Sequence, residues 1–107
     1  MADIFLSYAS EDRERIEPLV TTLEAEGWTL WWDRDLIAGP SFADKIQENL
    51  DQARCIVVAW SRHSIGSNWC RDEASEGIER NCLVPVLIDD VRPPLGFRSA
   101  QTVFLHG

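Results

Sequence analysis

The chain has 107 residues, enough for one hydrophobic core and too few for two independent folding units. Hydrophobic residues make up 45% and charged residues 26% of it, and this ordinary globular composition excludes a disordered or low-complexity protein. The 18 acidic and 10 basic side chains give a net charge of −8, which repels nucleic acid and anionic membrane surfaces. Residues 1–53 carry the whole excess, so an anionic ligand would depend on locally placed arginines and backbone amides.

Several kinds of segment are missing from the sequence. The longest apolar runs, Cys55–Trp60 and Leu83–Ile88, have six residues each, against the roughly 20 needed to cross a bilayer. The first residues lack the basic and long apolar regions of a secretory signal, so the expected location is the cytoplasm. The cysteines are Cys55, Cys70 and Cys82, and the histidines are His63 and His106. None has the spacing of a disulfide framework or a metal site, so we expect reduced thiols, surface histidines and no metal.

The first half of the chain predicts a strand, a helix and a second strand. Asp3–Tyr8 is a short apolar run, and Ser10–Gly27 then shows helical periodicity. Pro18 lacks an amide hydrogen, so we expect either a kink there or a regular helix that starts late. Aromatic and β-branched residues predict the second strand over Trp28–Trp32, and a polar loop, Asp33–Pro40, ends it.

The second half continues the alternation of helices and strands. Its elements are predicted in the order helix, strand, helix, strand, strand: Ser41–Ala53, Arg54–Trp60, Ser67 or Asn68 to about Arg80, Asn81–Ile88 and Thr102–Leu105. All residues of Arg54–Trp60 after Arg54 are apolar, so this strand belongs in the middle of a sheet with both faces buried. Four tryptophans are expected to pack in the core or on a sheet face: Trp28, Trp31, Trp32 and Trp60.

This order of elements predicts the fold class. Strands that alternate with helices pair in parallel, and right-handed crossovers place helices on both faces of the sheet. The prediction is a single α/β domain, a flavodoxin-like doubly wound five-stranded parallel sheet with strand order 2-1-3-4-5. Ligands of such sheets bind outside the carboxyl ends of the strands where the order reverses, here between the first and third strands. The segments predicted to face this crevice are 7–12, 33–41 and 61–73.

Three sequence blocks occupy these segments: FLSYASED (Phe5–Asp12), WWDRDLIAGPSFADKI (Trp31–Ile46) and WCRDE (Trp69–Glu73). Together they resemble the TIR (Toll/interleukin-1 receptor) domain family, particularly its bacterial branch, over essentially the whole of residues 1–107. The resemblance implies that Asp33–Ser41 is the family's BB loop, which mediates assembly and gates the crevice. TIR domains normally continue into another helix after the fifth strand. The resemblance therefore implies that residues 1–107 lack the last helix and form the N-terminal part of a longer protein.

The family has two functional kinds, adaptor modules that bind other TIR domains and enzymes that cleave the nicotinamide–ribose bond of NAD+. Its enzymes carry a Trp-x-x-x-Glu stretch after the third strand, and this chain is similar, with Trp69 and Glu73. The resemblance implies an NAD+ glycohydrolase that releases nicotinamide and either ADP-ribose or a cyclic isomer. NAD+ is then a substrate, and no cofactor is expected. A non-catalytic TIR–TIR adaptor or scaffold module is the alternative.

The resemblance also implies a setting and partners for such an enzyme. The setting is bacterial immune or stress signalling, in which the domain acts as an effector that assembly activates. The partners are other TIR domains, in a homo-oligomer or a filament, and a fused or bound sensor module.

The chemistry of this bond needs one well-placed acid. Residues four apart share a helix stripe, so Glu73 is expected in the second helical turn above the crevice. A carboxylate there stabilises an oxocarbenium-like ribose, and nicotinamide leaves as a neutral molecule without a second acid. Trp69 offers an aromatic face to the charged pyridinium. The residues alone leave a second interpretation open, in which Glu73 is a solvated surface charge.

The remaining candidates lie after the first and second strands. Tyr8 and Ser10 are predicted to contact the substrate. Arg34 would reach the pyrophosphate, or would pair with a neighbouring aspartate at the surface. Two adjacent aliphatic residues in a polar loop suit a docking edge. The residues predicted for this assembly loop are Asp33, Asp35, Leu36, Ile37, Gly39 and Pro40.

Overall fold

Strands and helices alternate along the chain in this computed structural model, which describes residues 3–32, 42–92 and 103–104. The strands are β1 (Ile4–Ser7), β2 (Leu30–Trp31), β3 (Cys55–Trp60), β4 (Leu83–Leu87) and β5 (Val103–Phe104). The helices are α1 (Arg13–Ala25), α2 (Phe42–Gln52) and α3 (Asn68–Glu79). Short 3₁₀ turns at Ser10–Asp12 and Ser64–Gly66 lie ahead of α1 and α3.

The strands form a parallel sheet with the order β2-β1-β3-β4-β5. The α/β class, the parallel pairing and the order 2-1-3-4 confirm the prediction. Beyond β4 the sheet continues with Val103–Phe104, and the other two residues of the predicted fifth strand, Thr102 and Leu105, lie outside the described residues. The second strand is shorter than predicted, because only Leu30 and Trp31 pair with β1.

Successive strand residues point to opposite faces, so the sheet has two apolar layers. The α1-side layer consists of Ile4, Leu6, Tyr8, Ile16, Val20, Val57, Ala59, Val86 and Ile88. The α3-side layer, which also holds α2, consists of Phe5, Ile46, Leu50, Ala53, Ile56, Val58, Trp60, Cys70, Ala74 and Leu87. Each crossover helix therefore covers the sheet with its apolar stripe, as a doubly wound fold requires.

The tryptophans of the strands pack as predicted, with one exception. Trp60 is fully buried, and Trp31 and Trp32 pack against the two layers. Trp28 was expected to pack as well, but it is 49% exposed. Its amide donates to the Leu23 carbonyl at the end of α1, so Trp28 belongs to the helix terminus rather than to β2.

The ends of the helices follow from particular residues. Regular α1 begins at Arg13, after the 3₁₀ turn, which is the late start expected for a helix that contains Pro18. Two residues beyond the end of α1 lies Gly27 with φ +97°, and two residues beyond the end of α3 lies Asn81 with φ +55°. Both are the left-handed residues that close a helix, for which glycine is the commonest choice and asparagine the next.

Candidate functional site

The position predicted for the crevice is between β1 and β3, at the carboxyl ends of these strands. From β1 the chain passes to β2 on one side and then returns to β3 on the other, so the strand order reverses there. Helix α3 begins at this edge because it follows β3. Ser67 caps its first turn, and the serine hydroxyl oxygen accepts the Cys70 amide at 3.4 Å. The first two turns of α3 therefore lie beside the crevice.

Glu73 faces the sheet from the second turn of α3. The buried stripe of this helix consists of Cys70, Glu73, Ala74 and Gly77. Only 1% of Glu73 is exposed. The interpretation of Glu73 as a solvated surface charge is excluded.

Trp69 lies one helical turn before Glu73 and is 51% exposed. Residues four apart lie on neighbouring parts of a helix surface. The exposed indole and the buried carboxylate are therefore neighbours on α3, at the end of the helix that follows β3. The structure brings these two predicted residues together.

Tyr8 lies in the α1-side layer, on the other face of the sheet from Glu73. Its hydroxyl donates to the Trp32 carbonyl at 2.9 Å, and its ring centroid is 6.2 Å from that of Trp32. The contact joins the carboxyl ends of β1 and β2. Ser10 is exposed, and its hydroxyl donates to the Glu11 carboxylate at 3.3 Å. The structure does not bring Tyr8 and Glu73 together, and the substrate contacts of Tyr8 and Ser10 stay predictions.

The predicted assembly loop follows Trp32. The Arg13 guanidinium lies over the Trp32 ring, 4.8 Å from its centroid, so α1 holds the point where the loop leaves the sheet. The loop candidates themselves lie outside the described residues: Asp33, Arg34, Asp35, Leu36, Ile37, Gly39 and Pro40.

Ser7 is a buried polar residue of the crevice that the sequence did not single out. It is the last residue of β1, it is 0% exposed, and it lies beside Val58 of the α3-side layer. Within the described part of the chain its hydroxyl oxygen has no hydrogen-bond partner. The signal in the sequence that could have identified Ser7 is its position two residues after Phe5, which places both side chains on the same face of the sheet.

A buried polar network joins the loops that follow β1 and β3. Asp12 is 1% exposed and accepts a short hydrogen bond from the Ser61 hydroxyl. The Ser61 oxygen accepts the amides of His63 and Ser64, each at 3.1 Å. The Ser64 hydroxyl in turn donates to the Ala59 carbonyl at 2.7 Å. This network fixes one wall of the crevice relative to the other.

An ion pair extends the network to the end of β4. Arg15 donates to the Asp89 carboxylate at 2.8 Å and lies 3.4 Å from the Asp12 carboxylate. The Arg62 amide donates to the second Asp89 oxygen at 2.9 Å. The hydrogen bond from Arg15, followed by that from the Arg62 amide, lowers the pKa of Asp89 to about 2. The carboxyl ends of β1, β3 and β4 are thus tied together.

The described residues contain no group of three or more His, Cys, Asp or Glu that could hold a metal ion. Nor does any helix in the described ranges have the length and apolarity to cross a membrane. Cys55, Cys70 and Cys82 are free thiols in the structure, and burial raises the pKa of Cys55. His63 is exposed and lies 3.7 Å from the Glu11 carboxylate, whereas His106 lies outside the described residues.

Residues 4–107 match the sequence model of the TIR domain family. The chain belongs to the TIR domain family, which confirms the resemblance carried by the three sequence blocks. A solved structure supports the fold independently. The TIR domain of the Toll-related receptor TRR-2 from Hydra magnipapillata superimposes with a TM-score of 0.86 at 24% identity, covering 97% of this chain and 84% of that one.

Two curated relatives are bacterial proteins. The chain is 36% identical over 73 residues to the 2' cyclic ADP-D-ribose synthase AbTIR of Acinetobacter baumannii, covering 66% of this chain and 27% of the relative. It is 32% identical over 80 residues to the 2' cyclic ADP-D-ribose synthase BtTIR of Bacteroides thetaiotaomicron, covering 73% of this chain and 28% of the relative. The chain therefore spans about a quarter of the length of these relatives.

Proposed function

We propose that this TIR domain cleaves the bond between nicotinamide and ribose in NAD+, with Glu73 as the catalytic carboxylate. The observation that carries the proposal is the burial of Glu73 on α3, one turn below the exposed Trp69, where the strand order reverses. The names of the relatives support it, since ADP-ribose is what remains of NAD+ when nicotinamide is removed.

The reaction uses the charge of Glu73. As the bond between ribose C1′ and the pyridinium nitrogen breaks, its electron pair goes to nitrogen, and positive charge develops on the ribose. A carboxylate in an apolar layer stabilises this charge more strongly than one in water. Nicotinamide leaves neutral, so no proton donor is required. Water then adds to C1′ and loses a proton, giving ADP-ribose, or a hydroxyl of the substrate adds instead and gives a cyclic isomer.

Trp69 is proposed to bind the substrate at the rim. Its indole is half exposed, so it can stack on the nicotinamide ring before the bond breaks. A cation–π contact to the pyridinium is worth roughly 0.5–2 kcal/mol and disappears when neutral nicotinamide forms. The same contact therefore favours binding of NAD+ over retention of the released base.

The burial of Glu73 also bears on activation. With 1% of its surface exposed, the carboxylate meets a ribose only after protein atoms above it move. We propose that assembly with other TIR domains, through the loop after β2, supplies this change. A fused or bound sensor module would bring the copies together, as suits an effector of bacterial immune or stress signalling.

The proposal is tested by incubating the concentrated chain with NAD+ and separating the products by liquid chromatography. Free nicotinamide should accumulate, matched by the sum of ADP-ribose and its cyclic isomer. A non-catalytic TIR–TIR module would leave NAD+ intact at every protein concentration, and that result would refute the proposal.

A further inference from the structure

Three serines lie buried at the carboxyl ends of the two strands that border the crevice. Ser7 is the last residue of β1, Ser61 follows β3, and Ser64 lies three residues later. All three are 0% exposed. A hydroxyl removed from water needs hydrogen-bond partners in the protein, so the partners of these serines can be compared directly.

Two of the serines, Ser61 and Ser64, make hydrogen bonds within the protein both as donors and as acceptors. The Ser61 hydroxyl donates to Asp12 and accepts two backbone amides. The Ser64 hydroxyl donates to the Ala59 carbonyl and accepts the Ser61 amide at 2.7 Å. Their hydroxyls hold the loop after β3 in place.

Ser7 differs from both. Within the described residues its hydroxyl oxygen has no hydrogen-bond partner. Leaving a buried hydroxyl without a partner destabilises a protein, and alanine would fit the same position on β1 without that penalty. Folding therefore does not explain why a serine is present. Buried polar groups without a hydrogen-bond partner are characteristic of functional sites.

The location of Ser7 indicates which site it serves. Its neighbour Val58 belongs to the α3-side layer, and α3 contacts β1. Glu73 faces the same layer from the buried stripe of α3. Ser7 and Glu73 are thus buried polar residues on one face of the sheet, at the edge where the strand order reverses.

We infer that Ser7 is a substrate-binding residue, whose hydroxyl donates a hydrogen bond to the nicotinamide-bearing ribose of NAD+. This inference rests on the proposed function. A ribose placed with its C1′ against Glu73 brings hydroxyl groups into the apolar layer, and these need neutral partners there. Ser7 supplies one from β1, the opposite wall from α3. The movement that admits the ribose to Glu73 admits it to Ser7 as well.

The test compares three serine-to-alanine variants of the full chain. Ser7→Ala should lower kcat/KM for nicotinamide release about tenfold, while its Tm stays the same or rises by up to about 4 °C. Ser64→Ala removes a hydroxyl that has partners, so its Tm should fall by about 4–8 °C. Ser75→Ala, on the exposed side of α3, should leave both quantities unchanged.

The opposite results are distinguishable. Wild-type turnover in Ser7→Ala would overturn the inference and leave NAD+ cleavage standing. A fall in Tm like that of Ser64→Ala would overturn it too, because Ser7 would then be a structural residue with a partner. Absence of nicotinamide release from the wild-type chain would refute the proposed function, and the role of Ser7 with it.

Discussion

Trp28 and Trp69 are equally exposed, yet the fold gives them different surroundings. Trp28 is 49% exposed and lies at the end of α1, ahead of β2, at the amino edge of the sheet. Trp69 is 51% exposed and lies in the first turn of α3, at the carboxyl edge. Among the described residues, the buried carboxylates Asp12 and Glu73 both lie towards the second edge. Trp28 is therefore a matched control for Trp69, because both side chains are half exposed and only Trp69 is proposed to bind NAD+.

Replacing each tryptophan by alanine should have unequal effects. Trp69→Ala should raise KM for NAD+ about tenfold, because the stacking contact with the pyridinium is lost. Trp28→Ala should leave KM unchanged. The measurement is the initial rate of nicotinamide release over a range of NAD+ concentrations. Equal KM values for the two variants would show that Trp69 does not contact the substrate.

At the residue scale the sequence predicted the helix position of Glu73 but not the faces of β1. The sequence predicted Glu73 in the second turn of α3 and left a solvated side chain open, and the structure shows it buried on the stripe with Cys70 and Ala74. In β1 all four residues are buried, so alternation of polar and apolar residues gives no signal for which face meets α3. That Ser7 faces α3 and Tyr8 faces α1 becomes clear only when the helices are in place.

Helix ends decide the lengths of the neighbouring strands. Gly27 has φ +97°, and the turn it makes keeps Trp28 bonded to α1, so β2 starts only at Leu30. The sequence predicted that the helical segment extends to Gly27, but it also predicted Trp28 in the second strand, whereas the Trp28 amide is hydrogen-bonded to the end of α1. Gly66 also borders open space, and its φ is not in the left-handed region.

The two glycines give a matched test of backbone strain. A Cβ on either residue would meet no atom within 4 Å, so only the backbone conformation differs. Gly27→Ala should lower the free energy of unfolding by about 1–2 kcal/mol, and Gly66→Ala should change it by less than about 0.5 kcal/mol. Urea unfolding at pH 7 measures both. Equal values would contradict the role assigned to the left-handed turn.

At the scale of the whole molecule, hydrogen bonds between distant segments hold the carboxyl edge together. Asp12 and Ser61 are 49 residues apart in the sequence, and Arg15 and Asp89 are 74 apart. Alternation of strands and helices predicted the parallel doubly wound sheet, because that class depends on local patterns and crossover handedness. The pairs Asp12–Ser61 and Arg15–Asp89 join residues that are far apart in the sequence, and no pattern of neighbouring residues predicts such contacts.

The Arg15–Asp89 pair predicts a pH dependence of stability. The pKa of Asp89 is lowered from its ordinary value of 3.8 to about 2. The pair therefore stabilises the folded state at pH values above about 4, and this stabilisation is lost as the pH falls from about 4 towards 2. After allowance for solvent screening, the contribution is about 1 kcal/mol. Arg15→Met should therefore destabilise the protein at pH 6, and the difference from wild type should shrink by pH 2.5 in urea titrations. A constant difference would contradict the assignment.

Charge also governs how copies of the molecule meet. A net charge of −8 keeps free domains apart by mutual repulsion, so we expect a monomer with little activity in dilute solution. Ile37→Asp in the predicted assembly loop should reduce nicotinamide release at low protein concentration without changing Tm. Ser75→Asp adds the same charge on the exposed side of α3 and is the control. Full activity of dilute wild-type monomer, or a harmless Ile37→Asp at every concentration, would show that assembly is not the switch.

The central claim is that the carboxylate charge of Glu73 drives the loss of nicotinamide. Glu73→Gln keeps the shape of the side chain and removes its charge. The control is Glu76→Gln, which makes the same change three residues later on α3, at a side chain that is only partly buried. The measurement is nicotinamide release from NAD+ by wild type and both variants at high protein concentration. The account predicts that Glu73→Gln is folded and inactive, with Glu76→Gln at wild-type rates. Wild-type turnover in folded Glu73→Gln would contradict it.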